Sequence, residues 1–93
     1  MSATHLAPRH AANREAAAAE LRRRWLIATR IRQARQRLGL SQEGLAHRLE
    51  VHREHVNRWE CGMLAPNAYH LEQLAEVLGE PGHYFYGGPS AHG

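Results

Sequence analysis

SQEGLAHRLEVHREHVNRWECG, residues 41–62, is the stretch whose reading decides the fold. Its apolar positions are Leu45, Ala46, Leu49, Val51, Val56 and Trp59. They break into two short helical faces with only a few residues between them, too close for anything but a tight turn. Two helices that cross steeply over such a turn need a small side chain where they nearly touch, and Ala46 supplies it. A β-branched residue is needed opposite, and Val56 supplies that. Leu45, Leu49, Val51 and Trp59 then seat the pair on the rest of the chain. Ser41 reads as the N-cap of the first helix. Its capping box is incomplete, because Gly44 stands where Glu or Gln would reach back. Gly62 closes the second helix.

Outward from this pair the chain continues to read as helix. On the N-terminal side Ile27, Ile31, Ala34 and Leu38 recur at spacings of four, three and four, and Gly39 ends the run. Ahead of them EAAAAELRRRW, residues 15–25, is rich in strong helix formers. This predicts a long first helix from Arg14, with a break near Thr29. Residues 1–13 carry small residues, two histidines and Pro8 without apolar periodicity, and are expected to be a disordered arm. On the C-terminal side Asn67 caps a fourth helix with Leu71, Leu74, Ala75 and Leu78 on one face, ended by Gly79. Pro81 then permits a last short turn carrying Tyr84, Phe85 and Tyr86 before a tail rich in Gly, Pro and Ser. No strand pattern or internal repeat is present.

Composition narrows the function. With 93 residues the chain has room for one modest core, and a large enclosed active site is not expected. Apolar residues make up 43% of it, with no run long enough to span a membrane and no apolar stretch near the N-terminus that would serve as an export signal. The lone Cys61 cannot form an internal disulfide and fits a reducing cytoplasm. All twelve basic side chains are Arg and all nine acids are Glu, beside fifteen Ala, a usage that points to a GC-rich genome. The net charge of +3 is unevenly placed: residues 22–37 hold seven arginines and no acid, whereas residues 63–93 hold three glutamates and no arginine. One end of the fold is expected to attract polyanions.

Through IRQARQRLGLSQEGLAHRLEV, VNRWECG and LEQLAEVLG, residues 27–86 resemble the lambdoid-repressor, Cro and Xre type of helix-turn-helix domain. The LGLSQ stretch, the Trp-Glu pair before a glycine and the closing LAEVLG are more specific together than any one alone. The resemblance implies an all-α, compact five-helix domain, here with an N-terminal helical extension over 14–26 and a flexible tail over 87–93. It further implies double-stranded DNA as the partner, the third helix lying in the major groove, and a homodimer on a two-fold site. Carried over residue by residue, it places Arg53, Glu54, Asn57 and Arg58 at base-facing positions. There Arg53 or Arg58 would pair with guanine O6 and N7, Asn57 with adenine, and Glu54 with cytosine N4. Gln42 matches the family's phosphate-contacting glutamine. Arg32, Arg37 and His52 join it as phosphate contacts along the expected path of the backbone. Arg35 and Glu60 match the family's internal arginine–glutamate pair, a structural role. Two departures stand out: Glu50 occupies the turn where the family usually has glycine, and His52 replaces the small hydroxyl cap of the reading helix.

Other chemistry is weakly signalled. His47, His52, His55 and Cys61 contain metal-ligand residue types, but Cys61 lies two turns beyond His55 on a helix already committed to the motif, so groove-side surface is the better reading. Partial protonation of His52 and His55 is expected to favour DNA slightly in mild acid. Cys61 has no Cys-His-Asn arrangement around it, and no Gly-rich phosphate loop occurs. The expectation is therefore a cytoplasmic bacterial or phage transcriptional regulator that acts by occupancy, with no cofactor, metal or catalytic activity. Two alternatives are an antitoxin that also binds a toxin protein, and an interaction module whose Arg-rich helix docks an acidic partner such as an RNA polymerase subunit.

Overall fold

Glycine stops and side-chain caps divide the chain into its elements. In the computed structural model, which describes the backbone of residues 2–93 and side chains from Ala11 onward, these are α1 (Ser2–Arg37), α2 (Gln42–Leu49), α3 (Arg53–Glu60), α4 (Ala68–Leu78) and a 3-10 helix (Gly82–Tyr86). Ser41 Oγ accepts the Gly44 amide at 2.9 Å at the start of α2, and Asn67 Oδ1 accepts the His70 amide at 2.8 Å at the start of α4. Gly39, Gly62 and Gly79 each take the left-handed conformation that ends a helix.

Several boundaries differ from the sequence-based expectation. Four α-helices and one 3-10 helix are present among the described residues instead of five helices, because Pro81 and the left-handed Gly87 leave room for only five residues between them. α1 shows no break at Thr29: the hydroxyl folds back onto the Trp25 carbonyl at 2.9 Å, a contact that a helix accommodates. The segment expected to be a disordered arm over 1–13 has a helical backbone from Ser2 on and forms the first turns of α1, and the side chains before Ala11 lie outside the described residues. Leu38, assigned to the apolar face, is exposed, since α1 stops one residue before it.

The core takes one apolar stripe from each element. Ile27, Ile31 and Ala34 of α1 meet Leu45 and Ala46 of α2, Val56 and Trp59 of α3, Leu74 and Leu78 of α4, and Tyr84 and Phe85. Tyr84 is anchored twice, its hydroxyl donating to the Arg30 carbonyl at 3.1 Å and its ring lying 4.8 Å beneath the Arg30 guanidinium. Tyr84 and Phe85 thus close the core, and Tyr86 alone of the three is exposed.

The tail follows the core closely. Glu80 is buried, and its carboxylate accepts Arg37 Nη2 at 2.6 Å, Ser90 Oγ at 2.7 Å and the Ala91 amide at 2.9 Å. His92 closes on the Gly79 carbonyl at 2.8 Å. The segment expected to be a flexible tail is therefore hydrogen-bonded to the end of α4. Burial pushes the Glu80 carboxyl upward, but the bonds from Ser90, Ala91 and Arg37 outweigh it and hold the group below the ordinary carboxylate value.

Candidate nucleic-acid interface

α3 divides sharply between an inner and an outer face. Val56, Trp59 and Glu60 are buried, while Arg53, Glu54 and Arg58 are exposed and Asn57 half-exposed. The outer residues, with His52 and His55, line one shallow concavity of about 480 Å³. All four residues assigned to base reading therefore share one surface. The helix starts at His52, whose backbone takes the extended cap conformation but whose side chain gives no cap hydrogen bond. Its imidazole instead lies nearly parallel to that of His55, with ring centroids 6.2 Å apart.

The turn between α2 and α3 keeps the geometry that normally favours glycine. Glu50 adopts φ 56 and ψ 43, the left-handed region, and its amide closes on Ala46 and His47 carbonyls. Val51 N then reaches the Ala46 carbonyl at 3.1 Å, a Schellman-type end to α2. The departure at Glu50 is thus absorbed as local strain, and the turn is not reshaped.

Glu60 is the point where α3 is fastened to the rest of the fold. Arg35 meets its carboxylate through two parallel bonds, Nε to Oε2 at 2.7 Å and Nη2 to Oε1 at 2.8 Å. Gln42 Nε2 adds a third at 3.2 Å, and Arg35 Nη1 donates to the Leu40 carbonyl at 2.8 Å. The pair is nearly dry, with side-chain exposures of 12% for Arg35 and 3% for Glu60. Bonding to Glu60 raises the Arg35 guanidinium further above its ordinary value, against the opposing effect of burial.

The phosphate-contact assignments fare differently. His52 is exposed beside α3. Gln42 sits at the first position of α2 with its amide nitrogen turned inward to Glu60. Arg32 Nη1 donates to the Glu60 carbonyl at 3.3 Å, and Arg37 is paired with the buried Glu80. The same holds through most of the arginine-rich stretch. Arg23 binds Glu20, Arg24 donates to the Gly62 carbonyl at 3.1 Å, and Arg30 donates to the Gly88 carbonyl at 3.2 Å. Of the seven arginines in 22–37, only Arg22 has no partner among the described residues.

Two residues that sequence reasoning did not connect to the reading helix also brace it. Besides the bond from Arg24, the Trp25 ring lies so close to Gly62 that a Cβ there would approach within 3.1 Å. The signal available was faint: an aromatic two positions before the core residue Ile27. Cys61 is exposed, with its sulfur 3.7 Å from Asn57 Oδ1. No group of three potential metal ligands occurs among the described residues, and no described helix is long and apolar enough to cross a membrane.

Two short helices joined by a left-handed turn, with the second exposing polar side chains and pinned by its buried end, define a helix-turn-helix protein. A family model described as helix-turn-helix matches residues 31–85, more than half of the chain, and the chain belongs to this family, the Xre, Cro and C1 type of DNA-binding regulators. No curated protein matches the sequence.

Proposed function

We propose that the chain binds double-stranded DNA sequence-specifically and regulates transcription in a bacterium or phage by occupying an operator. The observation that carries this reading is the outer face of α3, where Arg53, Glu54, Asn57 and Arg58 are gathered while Val56, Trp59 and Glu60 hold the opposite face in the core. A helix of this size fits the major groove, and these side chains supply donors for guanine and adenine and an acceptor for cytosine. His52 and the amide end of α2 at Gln42 flank that face and are assigned to phosphates. Arg32 and Arg37 each commit part of the guanidinium to an internal partner, whereas the His52 side chain makes no cap hydrogen bond. Eight residues of α3 read only a few base pairs, so the working form is a homodimer on a two-fold site with half-site centres about 34 Å apart or a multiple of that. The site of action is the cytoplasm.

The test is a binding series on a selected site and its single-base variants. Arg53→Ala and Arg58→Ala are expected to relax preference, each at a separate position of the half-site. If both leave the ranking of sites unchanged, α3 is not the reading helix.

A further inference from the structure

Residues 12–19 of α1 pack against nothing among the described residues. From Ala12 to Ala19 every side chain is exposed, and further along the same helix Leu21 is 46% and Trp25 49% exposed. A helical stretch of this length is marginal in water when nothing packs on it. Its sequence nevertheless has a seam: Arg14, Ala18, Leu21 and Trp25 follow one another at spacings of four, three and four, which puts them on one stripe. Met63 and Leu64, both exposed, follow Gly62, on which Trp25 rests, and border the stripe with apolar surface.

We propose that this stripe is the docking surface for the same stripe of a second copy, the two α1 helices running antiparallel. The inference rests on the homodimer reading above and gives that dimer a specific contact. The charges select this occupant and this direction. With the two-fold axis passing between Ala19 and Glu20, Leu21 falls opposite Ala18 of the second copy, and Trp25 falls opposite its Arg14. The first is a large-on-small apolar layer, and the second places a guanidinium on an indole. Glu15 and Arg22, which flank the seam one position after Arg14 and Leu21, then face each other across it twice by symmetry. Both side chains are exposed, and neither has an ionic partner among the described residues, whereas the neighbouring Glu20 is already held by Arg23 and Arg24. A parallel arrangement would set Arg22 across from Ala17 of the second copy, where it meets no acid. The pairing therefore uses the one arginine of residues 22–37 that has no partner among the described residues.

Sedimentation of the full chain across a concentration series tests this, with helix content followed by circular dichroism; Glu15 and Arg22 are exposed and without ionic partners among the described residues, so their charge changes leave the monomer fold in place. Glu15→Arg and Arg22→Glu are each expected to raise the dimer dissociation constant about 10-fold, since each sets two like-charge pairs across the seam. The double variant carrying both changes is expected to return it to the parental value. Leu21→Glu should leave a monomer, and fluorescence of the half-exposed Trp25 should shift to the blue as the parent dimerises. A parent that stays monomeric, free and on DNA, overturns both this contact and the dimer. A dimer that is insensitive to the Glu15 and Arg22 changes, or that the double variant fails to restore, overturns the α1 contact and leaves the dimer standing on another surface. Loss of dimer on Tyr86→Glu alone would overturn the α1 contact in favour of the exposed surface at Tyr86.

Discussion

Arg35 and Glu60 lie 25 residues apart in sequence and meet through two parallel hydrogen bonds in a nearly dry setting. Removing either partner strands the other's charge with little access to water. Glu60→Ala is expected to destabilise the fold by about 3 to 5 kcal/mol, against less than about 1 for an exposed pair. A urea titration reads the difference directly.

Glu80 gives the fold an acid-sensitive point. Its carboxyl lies below the ordinary value in the folded chain, so the stability it contributes is fully present above the unfolded carboxylate range, about pH 4.3, and is lost as pH falls through the lower folded value. Glu80→Gln is expected to be less stable at neutral pH and to flatten the acid limb of the stability curve. Denaturant midpoints measured from neutral pH down to about pH 3 will show whether that limb belongs to Glu80.

The left-handed Glu50 predicts a substitution that improves the protein. Glu50→Gly removes the steric cost of φ 56 at the expense of some unfolded-state entropy, and a net gain of about 1 kcal/mol is expected. Glu50→Ala keeps the strain and should gain nothing. Thermal melts of the three proteins separate these outcomes.

Arginines that contact phosphate differ from arginines that hold the fold in their response to salt. Each phosphate contact adds about 0.9 to the slope of log affinity against log salt. Because Arg37 is paired with a buried Glu80, Arg37→Gln is expected to lower stability and leave that slope unchanged. A slope reduced by about one contact would return Arg37 to the DNA backbone. Glu54→Ala separates two roles in the same assay: lost discrimination if the carboxylate faces cytosine, uniform tightening if it only repels phosphate.

Local chemistry was legible in the sequence, and distant pairing was not. Ser41, Asn67 and the glycines at 39, 62 and 79 act through neighbours one turn away, so the helix ends followed from residue type alone. The apolar spacing around Ala46 and Val56 likewise disclosed the paired helices. Leu38 shows the limit of periodicity: it keeps the spacing of Ile31 and Ala34, but the helix has already ended. Arg37 with Glu80, Arg30 with Gly88 and Arg24 with Gly62 join positions 38 to 58 apart, and nothing in a run of arginines tells a solvated face from a set of internal ties. Which residues of α3 face outward was legible only through resemblance, since exposure on α3 follows from packing that a short polar helix does not spell out.

Glu60 collects α1 through Arg35 and α2 through Gln42, and its carbonyl takes Arg32, so the C-terminal end of α3 is gripped from several directions at once. That end is fixed before any partner arrives. Under the proposed docking of α3 in the major groove, it would lose little conformational freedom on contact, and adjustment there would fall on the double helix. Base pairs that α3 never touches would then enter the choice of site through how readily they bend.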